Sequence, residues 1–135
     1  MALKLKFAET EFGIGDRIRV YQRIKEGEKT RVAYFDGMVI AIKNRDERKT
    51  FTVRKVGEAS IGIERIFPLS LPSIEKIEIL KKGLRGSKKA KLYYTRDKST
   101  KEIDKIYSRS NKRELAKVSI QKPKAKKTTK IKKSK

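Results

Sequence analysis

From Asp16 to Ile24 the chain reads DRIRVYQRI, and its side chains alternate. Ile18, Val20 and Ile24 fall on one face; Arg17, Arg19, Tyr21 and Arg23 fall on the other. Period-two alternation marks a half-buried β-strand. The same rule governs TFTVRKV (50–56), where Phe51 and Val53 share a face and Thr52 and Arg54 the opposite one. In IGIERIFPL (61–69), Ile61, Ile63, Arg65 and Phe67 have one parity, which places Arg65 at a bend or at the end of a barrel. Phe51, Val53, Ile61, Ile63, Ile66 and Phe67 are expected inside, with Arg54, Lys55 and Arg65 set between them in the same strands.

Three further segments read as strands. TRVAYFDGMVIAIK (30–43) is long and rich in β-branched and aromatic residues, and IEKIEIL (74–80) and KAKLYYTR (89–96) follow it. Asp36-Gly37 is either a two-residue hairpin or a glycine bulge that bends one strand; the bulge is preferred, because a bent strand joins both walls of a small barrel. The turns fall at EGEK (26–29), NRDERK (44–49), GEASIG (57–62), SLPS (70–73) and KKGLRGS (81–87). GIGD and GLRG lack the strand–loop–helix setting of a phosphate cradle and read as turns. Six short strands with no helix between them predict an antiparallel all-β domain, a small closed or half-closed barrel, over residues 12–97.

The flanks differ. Residues 1–11 form a short N-terminal extension. After Arg96, STKE (99–102) fits a capping box with Ser99 as N-cap. Ile103, Ile106 and Tyr107 share a helical face, and NKRELAKV continues or restarts that helix, so 98–121 is a partly helical extension. From 122 to 135 the chain is KPKAKKTTKIKKSK, eight lysines in 14 residues without an acid or aromatic; such a tail is expected to be disordered when free.

Charge decides the class of function. Lys and Arg number 38 against 16 acids, a formal net charge of +22, and a surplus of that size draws polyanions. The expected partner is nucleic acid. A membrane surface would call for a basic amphipathic helix with a broad apolar face or a lipid anchor, neither of which is present. Cysteine and histidine are absent, which excludes disulfides, the usual zinc sites and imidazole catalysis. No pair of carboxylates stands at a catalytic spacing. The expectation is a non-enzyme with no catalytic residues, metal or cofactor. With no signal-like segment at the start, a cytoplasmic place is expected.

The candidate contacts follow the cations. Arginines recur in or beside the strands at Arg17, Arg19, Arg23, Arg31, Arg45, Arg48, Arg54 and Arg65, and their planar forks suit phosphate. A second concentration runs over 81–96, with Lys81, Lys82, Arg85, Lys88, Lys89, Lys91 and Arg96 and no acid. Gly83 and Gly86 allow close backbone approach to a partner. Of Tyr93 and Tyr94, one is expected in the core, and the other either packs as well or stacks on a base.

The segments FGIGDRIRVYQRIKEGEKTRVAYFDGMVIAIKNR, TFTVRKV, GIERIFPLSLPSIEKIEIL and KAKLYYTR, in this order, resemble the bacterial large-subunit ribosomal protein family numbered nineteen (bL19). The resemblance covers about Phe12 to Arg96. It implies an SH3-like β-barrel that binds large-subunit (23S-type) ribosomal RNA near the small-subunit interface and supports intersubunit contact. Implied partners are that RNA, neighbouring large-subunit proteins and small-subunit RNA. Arg31, Asn44, Arg45, Arg54, Lys55, Arg65, Lys88, Lys91 and Arg96 match basic or polar positions of the family pattern. Lys43, Arg48, Lys49, Lys81, Lys82, Arg85 and Lys89 complete the RNA-contact candidates. Asp46 stands where the family often has Gly, and the family's N-terminal helical extension is shortened. The alternative function is a nucleoid-type DNA-binding protein.

Overall fold

A computed structural model describes residues 4–45, 48–83 and 89–121. Seven strands and one helix follow in chain order: β1 (Lys4–Phe7), β2 (Thr10–Gly13), β3 (Arg17–Glu26), β4 (Lys29–Lys43), β5 (Thr50–Val56), β6 (Gly62–Pro68), β7 (Ile74–Lys81) and α1 (Thr100–Gln121). Short 3-10 turns occupy Glu58–Ser60 and Tyr93–Asp97. β3 to β7 form one antiparallel sheet in the order β6-β5-β4-β3-β7. The sheet is not closed: β6 and β7 remain its two edges. The expected all-β class therefore holds with a C-terminal helix added, while hydrogen bonding does not complete a barrel.

The N-terminal stretch carries a hairpin of its own. Leu5 pairs with Phe12 across β1 and β2, and both are buried in the common core. Phe12 meets Phe51 edge-on at 5.1 Å, and Phe51 stacks on Phe67 at 5.4 Å. Ile18, Val20, Val39, Val53 and Ile77 pack around this aromatic centre.

Three strand expectations need correction. First, β4 runs without a break through Asp36 and Gly37, which pair regularly with Arg19 and Ile18. The irregularity lies between Val39 and Ala41, where Ile40 is the extra residue opposite β5. The Ile40 carbonyl, free of the ladder there, accepts the Leu92 N–H at 2.8 Å. Gly37 serves a different need: a Cβ there would lie 2.5 Å from the Arg54 carbonyl oxygen, so β5 crosses close only over glycine.

Second, KAKLYYTR is not a strand. Leu92 and Thr95 are the buried residues, three apart, and the Thr95 hydroxyl donates to the Leu92 carbonyl at 2.6 Å. That spacing belongs to a 3-10 turn. Third, Ile61 and Ile66 are 63% and 65% exposed, and Ile63 is exposed as well. β6 is an edge strand, and of its residues Phe67 alone is buried.

The helix follows the capping signal. The Ser99 N–H donates to the Glu102 carboxylate at 3.0 Å, and the Glu102 N–H donates to Ser99 Oγ at 3.4 Å. Ile103 and Ile106 are half-buried, Tyr107 is buried, and one continuous helix runs on through NKRELAKV. The lysine-rich segment 122–135 lies outside the described residues.

Candidate nucleic-acid interface

The cations divide into those already neutralised and those that are not. On the face of β3, β4 and β7 that carries Arg19 and Tyr21, cross-strand acids answer them. Arg19 forms a two-pronged bond to Asp36, both distances 2.7 Å, and Arg23 reaches Glu75 at 3.0 Å. The Arg19 guanidinium holds the Asp36 carboxyl below the usual range, while Asp36 raises Arg19 in turn. Lys76, and then the Tyr21 hydroxyl, do the same for Glu78. Arg31 pairs with Glu26 in the projecting β3–β4 hairpin. Arg19, Arg23, Arg31 and Lys76 are thereby paired within the sheet.

A second neutralised group lies across β5, β6 and the 3-10 turn after Leu92. Glu64 pairs with Arg54 in the β5–β6 register, and Arg96 grips it with two bonds of 2.8 Å. Arg54 donates to Glu64 at 3.0 Å and to the Arg96 carbonyl at 3.1 Å. Its side chain is only 12% exposed, so its charge is spent within the fold. Arg96 is 48% exposed and also lies 4.5 Å over the Tyr93 ring. Tyr94 packs against the core, and Tyr93 is the exposed member of that pair.

Arg96, then Arg54, hold the Glu64 carboxyl below its ordinary range. A depressed carboxyl contributes stability above its unfolded pKa and loses it as pH falls through the folded value. Glu64→Gln should therefore cost about 1–3 kcal/mol at neutral pH, since it strips a nearly buried guanidinium of its counter-charge. The gap from wild type should narrow below about pH 4. Denaturant titrations of both proteins at neutral and acid pH check this; a gap that stays constant would show that the ion pair contributes nothing.

The remaining candidate cations fall in three groups. Lys43, Asn44, Arg45 and Arg48 are exposed in the connection from β4 to β5, with Lys49 half-buried beside them, and none forms an ion pair among the described residues. The Arg48 N–H donates to the Arg45 carbonyl at 2.8 Å, and the Leu69 N–H donates to the Lys49 carbonyl. Lys55 and Arg65 flank Phe35; the Arg65 guanidinium sits 5.3 Å from that ring and 5.7 Å from Phe67. Arg65 thus lies on the core face of β6, capping the aromatic cluster at its rim. Lys81 lies over the Tyr107 ring with Lys82 following, and Lys91 flanks Tyr93. Lys89 lies over Tyr94. Arg85 and Lys88 fall outside the described residues.

Gly83 does approach a backbone closely, but that backbone belongs to this chain: a Cβ there would lie 1.9 Å from the Gly15 carbonyl oxygen. Arg17, outside the candidate set, lines a cavity of about 240 Å³ with Lys55, Met38, Ile103 and Tyr107 at the root of α1. Burial pushes the Tyr107 hydroxyl upward. Among the described residues no group of acidic side chains is placed to hold a metal ion, and no helix is long and apolar enough to cross a membrane.

The pattern of the protein family described as Ribosomal protein L19 matches residues 2–109. The chain is similar to the large ribosomal subunit protein bL19 of Kosmotoga olearia, 47% identical over 87 residues that cover 64% of this chain and 74% of that one. Against the Mycoplasma mobile protein of the same name identity is 54% over 87 residues, 64% of this chain and 72% of the relative. Against that of Flavobacterium johnsoniae it is 46% over 106 residues, 72% of this chain and 89% of the relative.

Proposed function

Because the chain belongs to the Ribosomal protein L19 family, a structural and non-enzymatic component of the large ribosomal subunit, we propose that it works there by holding folded ribosomal RNA. Family membership places it at the ribosome, in translation. The finer reading is that residues 12–97 act as an SH3-like barrel, with the β1–β2 hairpin as its extension, and bind large-subunit RNA near the small-subunit interface, where they support intersubunit contact. The long β4, shared by β3 and β5 and bulged at Ile40, supports the barrel reading.

One observation carries the RNA reading. The cations of the β4–β5 connection have no counter-charge among the described residues, whereas Arg19 and Arg23 of β3 and Arg54 of β5 each pair with an acid of a neighbouring strand. Lys43, Asn44, Arg45, Arg48 and Lys49 form the primary contact in this proposal. Lys55, Arg65, Lys81, Lys82 and Lys91 extend it, and Arg31, Arg54 and Arg96 act mainly by holding the scaffold. A-form RNA hides its base edges in a deep groove, so phosphate contact and shape dominate.

The test is a salt series with large-subunit RNA fragments. With roughly 6–10 phosphates engaged, log K against log salt should slope at about −4 to −9. The double variant Arg45→Ala, Arg48→Ala should flatten that slope by about 1–2 without lowering the melting temperature. A wild-type slope shallower than about −2 would count against the reading. Co-sedimentation with large subunits, rather than nuclease-sensitive association with DNA, separates it from a nucleoid protein.

A further inference from the structure

Helix α1 has two unlike halves. Its first two turns dock through Ile103, Ile106 and Tyr107. Beyond them every side chain described from Asn111 to Lys117 is exposed. From Tyr107 to Gln121 the helix extends about 21 Å at 1.5 Å per residue. Composition alone does not hold this arm helical, because good formers such as Arg113, Glu114, Leu115 and Ala116 are interspersed with poor ones. It contains Ser108, Ser110, Asn111, Val118 and Ser119, all indifferent helix formers, and short unpacked helices are marginal in water.

Its cations are ordered. Lys101, Lys105, Arg109, Arg113 and Lys117 follow one another at four-residue steps, about 6 Å apart along the axis. The row starts on the side of α1 opposite Ile103 and Tyr107 and winds along the free arm. All five are exposed, and none forms an ion pair among the described residues. Near its start the row borders an open groove of about 300 Å³ lined by Lys98, Lys105, Ile106 and Arg109. The one acid of that groove, Glu102, is committed to the helix cap.

We propose that this row is a second RNA site, in which α1 lies along the phosphate backbone of a duplex RNA segment and the arm beyond Arg109 takes its stability from that contact. The inference rests on the RNA-binding reading above and adds a surface to it. A continuous file of like charges calls for a continuous file of opposite charges, which a nucleic-acid backbone supplies. Leu115 is exposed on the arm and offers a single anchor, whereas the five cations form the continuous feature of this surface. The site is separate from the β4–β5 connection: α1 packs at the level of Met38, and β4 runs about 17 Å further to Lys43. Two separated sites on one chain hold two RNA segments at once, and the second contact then gains from effective concentration. The family pattern ends at residue 109, so the arm is an addition to the matched part of the chain.

The experiment uses the full chain and a short synthetic RNA duplex. The triple variant Arg109→Gln, Arg113→Gln, Lys117→Gln keeps helix propensity while removing three charges of the row. The control Lys6→Gln, Lys25→Gln, Lys29→Gln removes three exposed charges elsewhere. The row variant should flatten the salt slope by about 2–3, at 0.7–0.9 per phosphate lost, and the control by less than about 1. In the wild-type chain, RNA should also slow amide exchange over residues 111–121. Equal losses in both triple variants, or unchanged exchange, would overturn the inference. Arg45→Ala, Arg48→Ala separates the two levels. If it weakens binding while the row variant binds like wild type, the second site fails and the RNA reading stands. If neither weakens binding, the RNA reading itself fails.

Discussion

Phe51→Ala should lower folding stability by about 3–5 kcal/mol, the usual cost of emptying a buried phenyl site. Phe51 is fully buried and touches rings from two other strands, Phe12 of β2 and Phe67 of β6. These contacts tie the N-terminal hairpin and the edge strand to the centre of the sheet, so one truncation loosens three elements. Total stabilities run near 5–15 kcal/mol, and each kcal/mol moves the melting point of a domain this small by about 4–8 °C. A fall of at least about 12 °C in a circular-dichroism melt is expected. Ile66→Ala, on the exposed face of β6, should stay within about 0.5 kcal/mol of wild type. Both residues look interior from the strand pattern alone, so equal effects would show that the core is misplaced.

That contrast marks what the sequence makes legible. Period two exposes a strand wherever it persists for several residues, as in β3, β5 and β6. It does not reveal which strand lies at an edge, and that decides the exposure of Ile61 and Ile66. Leu5 and Phe7 alternate over only four residues, too few to separate a hairpin from a stray extension. The Ser99–Glu102 cap is a local, side-chain-specific signal, and it locates the helix start. Leu92 and Thr95 sit three apart within a segment whose β-forming tyrosines favour a strand; the bond from Leu92 to the bulged Ile40 carbonyl settles the turn, and that carbonyl is 52 positions away in the chain.

The candidate site divides in the same way. Composition reveals that the surface is cationic. It does not reveal which cations are spent, because the partners are distant in sequence: 17 residues for Arg19 and Asp36, 32 for Arg96 and Glu64, 52 for Arg23 and Glu75. The cations of α1 recur at four-residue steps, but a charge period in a helix has the same look on a solvated face as on a binding one. What distinguishes the row is that the arm leaves the core, which the tertiary structure alone decides.

Asp16→Ala should be the second most damaging change, although GIGD reads as nothing more than a turn. The Asp16 carboxylate accepts the Gly13 N–H at 2.8 Å and the Gly83 N–H at 2.7 Å, joining the end of β2 to the segment after β7. Its own carbonyl accepts the Val39 N–H at 2.9 Å, Val39 returns the bond to the Gly15 N–H at 2.8 Å, and the Tyr107 hydroxyl donates to the Gly15 carbonyl. Strands β2, β3 and β4, the chain after β7 and helix α1 therefore meet at these four residues. Alanine would leave the N–H groups of Gly13 and Gly83 without acceptors, and both glycines are buried. At about 1–3 kcal/mol for each unsatisfied donor, the loss should come to about 2–6 kcal/mol. Asp16→Asn offers one acceptor oxygen and one amide to a pair of donors, so it should fall between alanine and wild type. Glu28→Ala, an exposed acid with no ion pair among the described residues, should change stability by less than about 0.5 kcal/mol. Denaturant melts of the three variants rank them, and hydrogen exchange at Gly83 locates the damage: its amide should exchange faster in both Asp16 variants. An Asp16→Ala protein that melts with wild type and keeps Gly83 protected would mean that packing around Gly15 and Tyr107, rather than the carboxylate, holds the junction.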